Sequence, residues 1–194
     1  MAAARSPRRL AHSREQVLET TLAMVAEQGL AAVTMAKIAA RLDTSGGHLL
    51  YYFGTRDGLL LETLRWSEQH YAPQRAAVLT GAITGPDPGP EAALELARVY
   101  LPTGPGDARW LLWLEMWARA PYDDDLARAI ADLDDVWHRD LVALLGAVLP
   151  QHPDPAALSR QLRAMWDGFA VQILLGTADV DAVVARTRPL LTAG

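Results

Sequence analysis

Thr34-Met-Ala-Lys-Ile-Ala-Ala-Arg-Leu-Asp-Thr-Ser-Gly-Gly-His-Leu-Leu-Tyr-Tyr-Phe-Gly-Thr-Arg-Asp-Gly-Leu-Leu60 is the stretch on which the fold is decided. Thr34 can cap a short helix whose inner face is Met35, Ile38, Ala39 and Leu42, and Asp43 and Thr44 then make a turn. Ser45 caps a second short helix that runs to about Tyr52, where Gly54 breaks it. Two short helices across so tight a turn follow the helix-turn-helix plan, in which the second helix is about the right width to enter a DNA major groove. Upstream, Ser13 with Gln16 forms a capping box for a buttressing helix carrying Val17, Thr21, Leu22 and Val25, stopped by Gly29. Downstream, Thr55 caps a longer helix with Leu59, Leu60, Leu64 and Trp66 apolar, predicted to continue to about Leu79.

The rest of the chain is helical between breaks. Gly81 to Pro90 holds three Gly and three Pro and reads as a surface loop. Pro102–Asp107 and Pro150–Pro155 are similar breaks. Four helical patterns cover about 91–101, 107–119, 123–149 and 156–175, the third opening with Asp123, Asp124 and Asp125, where negative charge suits a helix N-terminus. Gly176 ends the fourth, and a last helix runs from about Asp179 to Leu191. No run alternates as a strand does, so the expectation is an all-α protein of about nine helices: a three-helix head joined by helix four to a helical body.

Composition narrows the function classes. The chain has 194 residues, 51% apolar and 21% charged, with no cysteine, so disulfides and thiolate metal sites are excluded. Its longest apolar run, Leu141 to Leu149, is well short of the ~18 residues that cross a bilayer. The N-terminal arginines precede no apolar stretch, which argues against a secretory signal and for a cytoplasmic protein. The net charge of −5 is uneven: residues 1–56 carry +3 and the remainder −8. A cationic front on an acidic body suits a protein that meets a polyanion only at its front.

The run quoted above, with its pattern Thr-Met-x-x-Ile-Ala, then Ser-x-Gly-x-Leu-x-Tyr-x-Phe, then a basic residue opening the next helix, resembles the DNA-binding domain of the TetR family of bacterial transcriptional regulators over about residues 13–65. Two later stretches, Trp110-Leu-Leu-Trp-Leu-Glu-Met-Trp-Ala-Arg-Ala-Pro121 and Trp166-Asp-Gly-Phe-Ala-Val-Gln172, resemble the C-terminal domain of its betaine-type regulator subgroup. Residues 1–12 have no periodicity and read as a disordered basic arm; the resemblance implies a DNA-binding domain at 13–57 and an effector-binding and dimerisation domain at 58–194. It also implies a ligand-responsive repressor that acts as a homodimer on a near-palindromic operator of double-stranded DNA, with a small-molecule effector, no cofactor and no membrane.

The expected DNA-binding set is Thr34, Lys37, Thr44, Ser45, Gly46, Gly47, His48, Tyr51, Tyr52 and Arg56. Thr34 sits at a helix N-terminus, a ready phosphate site. Tyr51 and Arg56 resemble the family's backbone-contacting tyrosine and basic residue, which position the protein on DNA without reading sequence. Gly46, Asp43 and His48 depart from the commoner family pattern. Because Gly46 offers no side chain to a base edge, readout is left to His48, Thr44 and Tyr52, with DNA shape contributing.

In the body, Trp110, Trp113 and Trp117 fall on one helix face. Such a stripe suits either core or pocket. The expected pocket is Trp66, His70, Tyr100, Trp113, Met116, Trp117, Trp137, Trp166, Phe169 and Gln172, with Glu115 and Asp167 as further polar candidates. Leu158, Leu162, Met165, Ile173 and Val184 are the expected dimer interface, from two apolar faces near the C-terminus. The sequence admits two rival readings. A di-iron-like helical enzyme rests on Asp134, Asp135 and His138 at helical spacing, and a helical protein-interaction scaffold needs no DNA. A solvated acidic patch explains the first better, and no Gly-x-Ser-x-Gly elbow points to an enzyme.

Overall fold

The computed structural model describes residues 13–84 and 89–192. The expected N-terminal arm at 1–12 lies outside them. Among the described residues there are nine α-helices and no strand: α1 (Arg14–Gln28), α2 (Met35–Arg41), α3 (Gly46–Phe53), α4 (Arg56–Thr84), α5 (Glu91–Tyr100), α6 (Ala108–Arg119), α7 (Asp124–Val148), α8 (Pro155–Leu174) and α9 (Val180–Thr192). Two 3-10 turns, Leu30–Ala32 and Ala120–Tyr122, were not foreseen.

The capping residues act as the sequence suggests. Ser13 Oγ accepts the Gln16 N–H at 3.1 Å while Gln16 Oε1 accepts the Ser13 N–H at 2.8 Å, completing the capping box. Thr34, Ser45 and Thr55 accept the N–H groups of Lys37, His48 and Gly58 at 3.3, 3.1 and 2.9 Å. Each satisfies a donor that a helix start otherwise leaves open, worth about 1 kcal/mol.

Helix α4 departs from expectation. It continues to Thr84, so Gly81 to Thr84 are helical rather than loop, and only 85–88 of the expected loop lie outside the described residues. Glycine in a helix costs only about 1 kcal/mol, and the end of α4 packs on α5, burying Ala82. At 29 residues, α4 is about 43 Å long. Its first half belongs to the head and its second to the body.

Leu59, Leu60 and Leu64 of α4 are fully buried and join Val17, Val25, Ile38 and Leu49 of the head. Farther on, α4 packs against α5, α6 and α7, while α8 lies on α7 and α9 bridges α5 and α8. One hydrophobic cluster runs through both parts, across the expected boundary at 57/58. Each fully buried leucine at that junction contributes about 1.5–3 kcal/mol.

The passage from α3 to α4 is tight. A Cβ at Gly58 would lie 2.4 Å from the Phe53 carbonyl oxygen, a backbone atom that cannot step aside alone. Gly58→Ala should therefore destabilise the protein by about 1–3 kcal/mol through overpacking, seen as a lower midpoint in urea with an unchanged slope.

Candidate DNA-reading face and effector cavity

Helix α3 turns Leu49 and Phe53 into the core and leaves its other side to solvent. On that side lie Ser45 and Gly47, the half-buried Thr44, Gly46, His48 and Tyr52, and Tyr51, which is 76% exposed. Tyr52 is packed between its neighbours, its ring centroid 5.1 Å from both His48 and Tyr51. His48 Nε2 is buried without a hydrogen-bond partner. Thr34 and Lys37 are exposed at the start of α2. Nothing lies within 4 Å of a Cβ built at Gly46 or Gly47. The fold thus tolerates alanine at both positions, and their lack of a side chain serves nothing inside the protein.

Arg56 does not join that face. Its Nε donates to the Val33 carbonyl at 2.9 Å and its Nη2 to the Leu30 carbonyl at 2.8 Å, while Nη1 lies 3.3 Å from Glu115 Oε1 on α6. Its guanidinium is occupied inside the protein, which leaves it poorly placed for phosphate. Arg119 completes the cluster, donating to Glu115 at 2.9 and 2.6 Å and to Asp57 at 2.8 Å. Partial burial pushes the Glu115 carboxyl up, but hydrogen bonds and charge from Arg119 and Arg56 outweigh it and hold the group below its ordinary value. Glu115 is therefore part of a head-to-body junction rather than of a pocket.

The expected pocket residues divide. Tyr100, Trp113, Trp117 and Trp137 do line one enclosed cavity, together with Trp110, Arg109 and Asp134. Trp110 was read only as part of the aromatic stripe, and Arg109 and Asp134 were not foreseen as lining. Met116 is wholly buried in the core. Trp166 packs behind Tyr100, its N–H donating to Thr187 Oγ1 at 3.0 Å. Trp66 and His70 instead line an open cleft between α1 and α4. Phe169 lies on the outer side of α8 under Arg186, and Gln172 is exposed.

The polar lining is anchored by Glu68, which sequence reasoning missed. Its two carboxylate oxygens accept the indole N–H groups of Trp113 at 2.8 Å and Trp137 at 2.9 Å, and Arg109 Nη1 stands 3.6 Å away. Nearby, Tyr100 donates to Asp167 Oδ1 at 2.5 Å, and Arg163 pairs with Asp134. Burial is the main force raising the Asp167 carboxyl above its ordinary value and the Tyr100 phenol well above its own. The enclosed volume is about 10 Å³, room for no more than one water.

Two further expectations are corrected. Leu158, Leu162, Ile173 and Val184 are buried within the monomer and only Met165 is half-buried, because these apolar faces pack on α7 and α5. What α8 leaves open is the opposite strip: Ala164, Gly168, Val171, Gln172 and Leu175. The di-iron-like reading fails on its own residues, since His138 Nδ1 is 2.9 Å from Ser159 Oγ and Asp134 is paired with Arg163. Among the described residues, no group of three or more His, Cys, Asp or Glu could hold a metal ion, and no helix is long and apolar enough to cross a membrane.

A head built to expose α3 and a body built around an aromatic cavity define a DNA-binding regulator with a sensing domain. Residues 17–63 match the bacterial regulatory proteins of the tetR family, and residues 89–192 match the C-terminal domain of BetI-type transcriptional repressors. The chain belongs to the TetR family, in its BetI-type branch, and is a transcriptional regulator rather than an enzyme. It is 30% identical over 179 residues to the HTH-type transcriptional regulator BetI 2 of Chromohalobacter salexigens, covering 89% of this chain and 83% of that protein. It is 29% identical over 156 residues to BetI of Stenotrophomonas maltophilia, covering 80% and 78%. Among solved structures, a transcriptional regulator of Saccharomonospora viridis in complex with choline aligns with a TM-score of 0.78 at 26% identity, over 92% of this chain and 95% of that one. A TetR-family regulator from Rhodococcus sp. shares the fold at 19% identity with a TM-score of 0.70, over 93% and 95%.

Two outcomes follow from the geometry. Glu68→Leu leaves two buried indole N–H groups without their acceptor and Arg109 without its counter-charge, which should cost about 3–5 kcal/mol and be visible as a lower melting temperature with altered tryptophan emission. Because the Glu115 carboxyl is held below its ordinary 4.5, the stabilisation it gives is complete above that value and is lost as pH falls through the lower folded one. Glu115→Gln should therefore flatten the decline in stability from about pH 5 to pH 3, measured by urea unfolding at each pH.

Proposed function

We propose that the protein binds its operator as a homodimer through the exposed side of α3, with Thr34, Lys37 and Tyr51 on phosphates and His48, Thr44 and Tyr52 toward bases. The observation that carries this reading is the bare N-terminus of α3. Gly46 and Gly47 have open space around them, so glycine there costs helix stability with no return inside the fold. Its benefit is close approach of the α3 backbone to another surface. Tyr51, 76% exposed beside them, carries a hydroxyl that can donate to a phosphate.

The dimer contact assigned to this chain is the outward strip of α8. Val171 is 38% and Leu175 71% exposed, one above the other at helical spacing with Ala164 and Gly168. A symmetric pair of such faces places two α3 helices in register with the two halves of a near-palindrome.

The effector is assigned to the aromatic cavity, and its class to small ammonium compounds. Indole and phenol faces attract cations, and the related S. viridis regulator was solved with choline. With about 10 Å³ enclosed, the cavity admits such a ligand only when a wall moves. Trp117 is the one half-buried aromatic side chain of that wall, Tyr100, Trp110, Trp113 and Trp137 being buried. Helix α6 carries Trp110, Trp113 and Trp117 toward the cavity and Glu115 and Arg119 toward Arg56 and Asp57. A ligand that shifts α6 therefore shifts the grip on the head. Linkage requires that it bind the DNA-incompetent arrangement more tightly.

Fluorescence anisotropy with DNA from the protein's own promoter region tests this. Affinity should fall steeply with salt, and choline should lower it. Tyr51→Phe should weaken operator and random DNA alike by about fivefold with an unchanged melting temperature, as loss of one hydrogen bond predicts. Gly47→Ala should raise the melting temperature yet weaken operator binding. Equal affinity of Gly47→Ala and the parent for operator DNA would remove α3 from the interface.

A further inference from the structure

Leu50 is an apolar side chain that the fold leaves open to solvent on α3. Among the described residues, the large apolar side chains left exposed are Leu50, Tyr51, Tyr122, Val171, Leu175 and Leu190. Val171 and Leu175 belong to the strip of α8 assigned to the dimer contact, and Leu50 and Tyr51 stand next to each other on α3. Leu50 is 46% exposed, whereas Leu49 and Phe53 on the same helix are buried. Those two anchor α3 to the core, and Leu50 stands outside the core cluster. Its apolar surface is held in water, which is unfavourable until something covers it. Leu50 was not among the DNA contacts expected from sequence.

Its position on α3 decides what that surface can meet. Leu50 follows Gly46 by four residues and Gly47 by three, which puts all three on one side of the helix. The Leu50 side chain stays more than 4 Å from a Cβ built at either glycine, so the bare backbone beside it is uncovered. His48 and Tyr52 pack together on the other flank, their ring centroids 5.1 Å apart. The Gly46, Gly47 and Leu50 flank carries no side-chain donor or acceptor. Where the glycines let α3 come close to a base edge, Leu50 is the side chain on that flank that reaches it.

Every base pair presents hydrogen-bonding atoms in the major groove, and thymine alone adds an apolar group, its 5-methyl. A leucine pressed on a base nitrogen or oxygen displaces water and returns no hydrogen bond, which is unfavourable. Pressed on a methyl group, it takes apolar surface of both partners out of water. The same side chain thus favours thymine and disfavours the other bases.

We propose that Leu50 is a specificity-determining residue that reads thymine, its side chain packing on the 5-methyl group of one thymine in each half of the operator. This rests on the reading of α3 as the DNA-contacting helix.

Deoxyuridine lacks only that methyl and pairs with adenine as thymine does. Fluorescence anisotropy on the full chain tests the contact with promoter duplexes in which each thymine in turn is replaced by deoxyuridine. One position in each half-site should lose about fourfold in affinity, the factor expected for one methyl-sized group no longer buried. Alanine is a strong helix former, so Leu50→Ala should keep the parent's melting temperature. It should bind the unaltered promoter duplex about sixteenfold more weakly, one such factor from each half-site, with little change on random DNA. It should also no longer distinguish thymine from deoxyuridine at the two sensitive positions. Leu50→Met, close to leucine in volume, should retain both the affinity and the sensitive positions, and their loss overturns packing on a methyl group. A scan in which no deoxyuridine weakens binding overturns the proposal while leaving α3 on the DNA. Survival of the same sensitive positions in Leu50→Ala gives the methyl contact to another side chain and overturns the role of Leu50. If the parent binds promoter duplexes no better than random DNA at low salt, the reading of α3 falls and this proposal with it.

Discussion

The guanidinium of Arg56 joins two parts of the chain that could otherwise move independently. It stands at the first residue of α4, reaches back to the carbonyls of Leu30 and Val33 where the head turns from α1 to α2, and reaches forward to Glu115 on α6. Those carbonyls flank a 3-10 turn, and a planar cation with a fixed fork of N–H groups reaches both from one side chain. Arg119 and Asp57 close the circuit between α6 and α4. The head is thus oriented by α4 and α6 together, so the position of α3 depends on the packing of the body.

The body in turn is organised around a polar interior. Glu68 lies 6% exposed in the middle of α4, where an isolated carboxylate would be prohibitively costly. Two indole N–H groups and the nearby charge of Arg109 make its burial tolerable. Replacing this network with apolar side chains could give a core of equal stability. The network instead gives the cavity wall directional groups, with Arg109 and Asp134 among the tryptophans. Helix α6 contributes to that wall and to the ionic grip on the head, which makes it the shortest mechanical path between them.

What could be read in the chain was whatever depends on neighbours within one or two turns. Ser13, Thr34, Ser45 and Thr55 were recognisable as caps because capping bonds span three residues. The helix-turn-helix was legible for the same reason, and so was the aromatic side of α6. Glu68 and Arg109 escaped notice because a lone charge on a helix is ordinarily solvated. Their one signal was position: Glu68 continues the stripe of Leu60 and Leu64, and Arg109 falls one turn before Leu112 and Trp113 on the buried side of α6. A charge within an apolar stripe is a candidate for burial.

Local sequence also left open where apolar faces are spent. Leu158, Leu162, Ile173 and Val184 form apolar stripes that fit a partner subunit or the monomer's own core equally well, and packing against α7 and α5 chose the core. Arg56 likewise looked like a phosphate ligand until the carbonyls of Leu30 and Val33 and the carboxylate of Glu115 came within reach of it. The sequence by itself determined the helices, their capped starts and the helix-turn-helix motif, because these follow from bonds and side-chain periodicity over a few residues, while the end of α4 at Thr84 did not follow from it. Only the tertiary structure decided which charges are buried, which tryptophans share a cavity and what Arg56 holds, because each depends on groups dozens of residues apart in the chain.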